Sequence, residues 1–402
     1  MEEWGVWRAH RLQALLQGDS ARQVFEVIWH YGPITRNQVA ELTGLAIPTV
    51  SRITAELLQA GLIREIAHLE SQRGRRPTLL TINPDCGYIL GLDLGGTKLV
   101  TLLINLEARV IARHQVILDE ETKGKDALRR LLIHAIEKAI TRLGVTRERL
   151  IGIGLGAPGS IDHATGMIIE ASNLAVKRWP VREELEAALG LPVYVENDAN
   201  VAALGELFFG AGRMHRNLAV ITLGTGVGMG LILNEVIFHG DLGQAGEFGH
   251  MVVAREGPPC TCGNRGCLEA FVGGWALPQR YQEAGGEGVG ISPLTAAEVF
   301  RLARAGDPIA QRVIAEAADY LGMGIASVLN LLSLRLIVLG GGLIEGNAFF
   351  VQAIRKATIP RLIPELRGQV RLIPSPLGRN LGALGSAALV LQQVFSKGGC
   401  HE

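Results

Sequence analysis

The segment Tyr88-Ile-Leu-Gly-Leu-Asp93-Leu-Gly-Gly-Thr-Lys98 decides the fold. Its first seven residues are an apolar run of strand length. Two glycines then open the backbone where the strand ends. A buried strand that breaks into glycine presents bare N–H groups to whatever lies beyond its end, and such a loop can close on a phosphate. Leu99–Ile104 and Val110–Val116 read as further strands, and Asp126–Leu143 as an amphipathic helix. Leu150–Leu155 is a second buried strand and ends in Gly156-Ala157-Pro158-Gly159. Val193–Val195 runs into Glu196-Asn197-Asp198, before a helix over Ala199–Phe209. The theme restarts at Leu218: strand Leu218–Leu223, then Gly224-Thr225-Gly226, then strand Gly228–Leu233. Helices follow over Ala296–Ala305 and Pro308–Leu332, and strand Leu336–Leu339 ends in Gly340-Gly341-Gly342. Strands alternating with helices predict an α/β protein. The recurrence predicts two related lobes with a ligand cleft between them.

Three groups of residues carry chemistry. The first is the set of glycine loops at Asp93–Lys98, Gly224–Gly230 and Gly340–Gly342. Their phosphate-facing candidates are Asp93, Gly95, Gly96, Thr97, Lys98, Gly224, Thr225, Gly226, Gly341 and Gly342. Asp93 can orient a metal-bound phosphate or water, and Lys98 and the threonine hydroxyls add donors. A tight turn explains any one loop equally well; three in a two-lobed order are the stronger signal. The second is Asp198, between a strand and a helix. A carboxylate there can take the proton from a substrate hydroxyl that attacks a phosphoryl group, with Asn197 bonding neighbouring hydroxyls. A helix N-cap accounts for the same aspartate. The third is His250 with Cys260, Cys262 and Cys267. Three thiols and an imidazole within eighteen residues match a closed, structural zinc site; buried free thiols are the alternative. Glu247 and Glu269 flank this cluster. A metal-tied loop would hold both rigid against vicinal hydroxyls, although a solvated position also suits a glutamate.

Upstream, Ser20–Tyr31 has helical periodicity and stops at Gly32-Pro33. Thr35 and Gln38 predict a capping box for a second helix that buries Val39 and Leu42 and ends near Gly44. Pro48–Ala60 then reads as a third helix, closed by Gly61. Two strands, Leu62–Glu70 and Thr78–Ile82, enclose a loop with Arg73, Arg75 and Arg76. This pattern outlines a winged helix-turn-helix. Thr49, Ser51 and Arg52, near the start of the third helix, are placed to meet base edges, and the three loop arginines to enter a minor groove. A helical protein-interaction module is the competing reading.

Composition limits the rest. The 402 residues suggest two or three domains, with a globular 48% hydrophobic and 19% charged make-up. Lysine plus arginine and aspartate plus glutamate both total 39, so any DNA contact must use a local patch. Residues 1–85 are themselves neutral, with nine arginines, no lysine and nine acids. The five cysteines, Cys86, Cys260, Cys262, Cys267 and Cys400, do not form a disulfide framework. No signal peptide or membrane span is read, so a cytoplasmic protein is expected.

Taken together, these motifs resemble the ROK family of repressors, open reading frames and sugar kinases. The resemblance runs from about Ser20 to Ser386 and rests on five stretches: Asp93–Lys98, Leu155–Asp162, Glu196–Asn200, Gly246–His250 and Cys260–Glu269. The winged helix and the Arg-Gly-Arg-Arg-Pro loop are similar to the branch of xylose and N-acetylglucosamine repressors. The resemblance implies an actin-like, hexokinase-type fold with a sugar in the cleft. It implies sugar contacts at Gly159, Ser172, Asn173, Asn197, Asp198, Glu247, His250 and Glu269, with His250 serving both zinc and sugar. It also implies operator DNA as a partner, and a homodimer or homotetramer. Many ROK repressors have degraded phosphate loops, whereas those here are intact apart from Met229, where kinase members often place glycine. ATP and Mg²⁺ are therefore expected if a kinase activity is retained, with Asp198 as its base. The domains are expected at 1–84 (DNA binding), 85–200 (first lobe) and 201–402 (second lobe with the zinc loop).

Overall fold

The computed structural model describes residues 18–67, 78–142, 146–287 and 294–395. Arg73, Arg75, Arg76 and Cys400 lie outside these residues.

The chain begins with three helices, α1 (Asp19–Tyr31), α2 (Arg36–Thr43) and α3 (Ile47–Gln59). Thr35 caps α2 in a reciprocal box with Gln38, and Gly44 ends it at φ 69°. The expectation that Leu42 is buried fails, since it is 52% exposed. The buried stripe of this short helix runs through Val39, with Ala40 and Thr43 partly covered, and turns Leu42 outward. Strands β1 (Ile34–Thr35), β2 (Ile63–Ala67) and β3 (Thr78–Ile82) form a small antiparallel sheet in the order β1-β3-β2. Helices and sheet together make a winged helix-turn-helix.

Two five-stranded sheets follow. The first contains β4 (Tyr88–Leu94), β5 (Lys98–Asn105), β6 (Val110–Ile117), β7 (Leu150–Ala157) and β11 (Val193–Asn197), in the order β11-β7-β4-β5-β6. The second contains β12 (Leu218–Leu223), β13 (Val227–Leu233), β14 (Val236–Ile237), β15 (Leu336–Gly340) and β16 (Arg371–Pro374), in the order β14-β13-β12-β15-β16. The two orders are the same plan read from opposite ends. In each, an antiparallel meander opens the sheet and two parallel strands extend it on the other side. The recurring glycine loops thus fall at corresponding points. Gly95-Gly96 turns β4 into β5, and Gly224–Gly226 turns β12 into β13. Gly340–Gly342 ends β15 as Gly156–Gly159 ends β7. A small antiparallel sheet of β8 (Ser160–Asp162), β9 (Met167–Ala171) and β10 (Val176–Trp179) is added to the first lobe. The architecture is actin-like and hexokinase-type.

Between the sheets lie α6 (Asp198–Phe209) and the last helix, α12 (Leu381–Phe395). Glycines let both approach closely. A methyl group at Gly154 would lie 1.7 Å from the Ser386 carbonyl oxygen, and one at Gly385 would lie 1.8 Å from that of Val201. α12 therefore packs on the first sheet, although it comes from the far end of the chain. One continuous buried cluster joins the winged helix (Val24, Ile28, Val50, Leu57), α6 (Val201–Leu204, Leu207, Phe208) and α12 (Ala387–Leu391). Among the described residues, no helix is long and apolar enough to cross a membrane.

Candidate functional site: an interlobe cleft beside a Cys3His cluster

Asp198 is the first residue of α6. Asn197, rather than Asp198, caps that helix, its side-chain oxygen accepting from the Ala199 and Asn200 N–H groups. The Asp198 carboxylate accepts from Ala199 N–H at 2.9 Å and otherwise faces the cleft acids. Burial pushes its pKa up to about 7, with the nearby charges of Asp93 and Glu247 acting in the same direction. Asp93, at the end of β4, is itself raised to about 6 by burial, with Lys98 pulling the other way. Gly382, at the start of α12, makes room for it, since a methyl there would lie 2.5 Å from Asp93 Oδ2. The strand end, the helix start and Glu247 thus converge on one acidic point with Lys98 as the nearby cation.

The glycine loops differ in why they contain glycine. Gly341 has φ 93°, and a methyl on it would lie 2.3 Å from the Leu223 carbonyl oxygen, so the turn requires it. A methyl on Gly96 would lie 2.9 Å from Asn173 Nδ2. Beside Gly224 and Gly342 there is open space, and protein packing does not explain glycine at either position. Bare backbone facing open space is what an approaching phosphate needs. Met229 does not obstruct this loop. It pairs with Ile221 and is buried in the second lobe's core, because its strand alternates core-facing Val227, Met229 and Leu231 with Gly228 and Gly230, which face α6.

The sugar-contact candidates fall on both sides of the cleft. Gly159 (φ 88°) lies where a side chain would strike the Glu170 carbonyl oxygen, and its own carbonyl accepts from Asn197 Nδ2 at 3.1 Å. Asn197 therefore keeps one N–H for a ligand. Ser172 and Asn173 are exposed, in the turn after β9, with Ser172 Oγ 3.3 Å from Glu170 Oε1. Glu247 is exposed, with Oε2 3.7 Å from His250 Nε2. Glu269 is 9% exposed, and each of its carboxylate oxygens already accepts one bond from the protein. It accepts from Val227 N–H at 2.8 Å and from Trp275 Nε1 at 3.2 Å. It thereby ties the cysteine loop to the glycine loop between β12 and β13.

His250, Cys260, Cys262 and Cys267 come together, with their ligand atoms all within 4.8 Å of one another. His250 Nδ1 lies 3.6 Å from Cys260 Sγ, and Cys262 Sγ lies 3.7 Å from Cys267 Sγ. Tetrahedral zinc with bonds of about 2.3 Å holds its thiolates about 3.8 Å apart, so this donor set fits that ion. One ring nitrogen of His250 faces the thiols and the other faces Glu247 in the cleft.

Several groups were not singled out by sequence reasoning. Glu196 is buried and accepts from Asn200 Nδ2 (3.0 Å) and Asn197 N–H (2.8 Å), and lies 2.7 Å from His239 Nε2. Burial raises its pKa, but the bonds from His239 and the two asparagines outweigh that and hold it below the usual range. The His239 ring stacks on His163 at 4.1 Å, and Gln244 Nε2 donates to Ser160 Oγ at 2.8 Å. His163 and Ser160 come from the first lobe, His239 and Gln244 from the second, so these contacts cross the cleft. Isolated histidines 76 positions apart carry no spacing signal in the sequence.

In the winged helix, α3 buries Val50, Ile53, Thr54 and Leu57. Arg52 is exposed, paired with Glu56 at 2.7 Å, and Thr49 and Ser51 are half-buried.

The fold and these sites define a two-lobed protein with glycine loops at its strand ends, a Cys3His cluster and an attached winged helix. The ROK family profile matches residues 89–393, and the chain belongs to that family. A winged helix-turn-helix DNA-binding profile matches residues 19–64. The chain is similar to the xylose repressor of Bacillus spizizenii, at 31% identity over 94% of this chain and 97% of that protein. It is also similar to a glucokinase of Halalkalibacterium halodurans, at 35% identity over 76% of this chain and 96% of the other. A solved ROK family transcriptional regulator, a homolog of the E. coli MLC protein, superposes with a TM-score of 0.81 at 28% identity, covering 94% of this chain and 96% of that one.

Proposed function

We propose that this protein is a sugar-responsive transcriptional repressor of carbohydrate metabolism. The winged helix binds operator DNA, and a sugar in the interlobe cleft sets its affinity. The observation that carries this reading is the single buried cluster running from the winged helix through α6, whose first residue is Asp198. It is supported by similarity to a xylose repressor along nearly the whole chain. Residues 1–84 act as the DNA-binding unit, with Thr49, Ser51 and Arg52 meeting bases and Arg73, Arg75 and Arg76 meeting the minor groove. Residues 85–200 and 201–402 supply the two lobes, with α12 returning to the first. A palindromic operator calls for a homodimer or homotetramer. The sugar lies among Gly159, Ser172, Asn173, Asn197, Asp198, Glu247, His250 and Glu269, the last of which also holds the adjoining loops together. Linkage requires it to favour one DNA-binding state over the other.

Zinc would be held by His250, Cys260, Cys262 and Cys267 and would supply structural rigidity, fixing the ring that faces Glu247. To test the main reading, DNA is selected from a random duplex pool with the full chain, with and without xylose, glucose or N-acetylglucosamine. Selective binding altered by one sugar is expected; no selective binding under any condition rejects it.

A second reading, an ATP-dependent sugar kinase that also binds DNA, is favoured by the open glycines and by the pKa of Asp198. Asp93, Gly95, Gly96, Thr97, Lys98, Gly224, Thr225, Gly226, Gly341 and Gly342 would hold ATP together with Mg²⁺; ATP would supply the transferable phosphoryl group and leave as ADP. Asp198 takes the proton from the sugar hydroxyl. A coupled ADP-release assay across the same sugars tests it; absence of turnover with all of them removes it.

A further inference from the structure

One side chain of the winged helix reaches two places in the rest of the molecule at once. Trp29, on α1, donates its indole N–H to the Leu106 carbonyl at 2.8 Å. Leu106 lies in the turn joining β5 to β6, in the first lobe. The same ring packs on Phe208 at 5.7 Å and Phe209 at 6.1 Å, the last two residues of α6. His30 follows Trp29; its ring lies 6.4 Å from Phe208, and its carbonyl accepts from Arg213 at 3.5 Å.

α6 is built to transmit displacement. Every residue from Ala199 to Phe208 is buried. Twelve residues at about 1.5 Å each make a rod of about 18 Å. Its first turn presses on β13, where a methyl on Gly230 would meet the Ala199 carbonyl oxygen at 2.2 Å. Its middle lies against α12 through Gly205 and Gly385. A close-packed helix without neighbouring voids moves as a body rather than bending. A ligand that shifts Asp198 at one end therefore shifts Phe208 at the other. Because the indole N–H is tied to the first lobe, movement of Phe208 relative to Leu106 must turn α1.

We infer that Trp29 is a positioning residue that converts ligand-driven movement of α6 into reorientation of the winged helix. This inference rests on the sugar-responsive reading above. Its content is that coupling passes through the contacts of Trp29 with Phe208, Phe209 and the Leu106 carbonyl.

The test uses the full chain, its selected DNA duplex, and xylose, glucose and N-acetylglucosamine as probes. Operator affinity is measured with and without saturating sugar, and sugar affinity is measured separately by calorimetry. Wild type is compared with Trp29→Ala, Trp29→Phe and Phe208→Ala. Coupling between two sites commonly changes affinity by a factor of about 5–150. In Trp29→Ala and Phe208→Ala that factor is expected to fall below about 2, with operator and sugar each still bound on their own. Trp29→Phe keeps a ring against Phe208 but loses the bond to Leu106, and an intermediate factor is expected. It also serves as the folded variant should Trp29→Ala unfold. If wild type responds to a sugar and the variants respond equally, the relay is overturned and the functional reading survives. If wild type binds its operator identically with every probe, the functional reading fails and the relay falls with it.

Discussion

Asp198 shows how a helix terminus is divided between structure and chemistry. Asn197 satisfies the orphan N–H groups of α6, which releases the neighbouring carboxylate to the cleft. A raised carboxylate pKa means the folded chain holds its proton more tightly than the unfolded chain does. Stability is therefore lost as pH rises from the ordinary 3.8 through about 7. Asp198→Asn removes the buried charge. Its thermal midpoint is expected to exceed wild type by about 2–4 °C at pH 8 and to match it at pH 4, read by calorimetry. For catalysis the sign is opposite, because only the ionised form accepts a proton. Any sugar phosphorylation should rise with pH through about 7, and Asp198→Asn should lower it by about 10²–10⁴-fold, read as initial rates of ADP release. The candidate residues were legible here as types in a motif. The division of labour between Asn197 and Asp198 was not, because both suit an N-cap and only the helix's starting point separates them.

At the scale of elements, the cysteine loop and α6 set the cleft walls. The loop brings four ligand atoms together and points the other nitrogen of His250 at Glu247. About one zinc per chain is expected by elemental analysis. Chelation should weaken sugar binding by about 10–100-fold, measured by titration before and after metal is restored. On the opposite wall, Gly228 and Gly230 face α6 while Met229 faces the core. Gly230→Ala forces the helix off β13 and should cost about 1–3 kcal/mol, read by chemical denaturation. The sequence suggested these glycines for a phosphate, yet the packing of α6 already demands them. One-dimensional pattern cannot distinguish a glycine that admits a ligand from one that admits a helix. Beside Gly224 and Gly342 there is open space, so the packing does not demand glycine at either position.

For the whole molecule, the contacts that cross the cleft are the natural control on closure. The His163–His239 stack, braced by Glu196, and the Gln244–Ser160 bond join the lobes near the Glu196–Asn200 stretch. An aromatic pair contributes about 0.5–1.5 kcal/mol beyond its buried area. His163→Ala should then favour the open cleft and weaken sugar binding by about 2–10-fold in calorimetric titration. If ligand-driven movement of α6 reorients α1 through Trp29, the same substitution should also lessen the effect of sugar on operator binding.

Order and period along the chain determined much of this. Apolar runs ending in glycine define β4, β7, β12 and β15, because a buried parallel strand must be apolar throughout and must stop where the backbone turns. The capping box at Thr35 and the glycine after α2 define the helix-turn-helix through local chemistry alone. The crowding of three cysteines and a histidine marks a donor set without reference to any fold. Only the tertiary structure decided which distant residues meet. It brought α12 back to the first sheet, stacked His163 on His239, committed Glu269 to Val227 and Trp275, and set Trp29 against Phe208 and Leu106. Those partners are far apart in the chain and share no period. Their meeting follows from how two sheets close around two helices, a property of the packed molecule and not of any local segment.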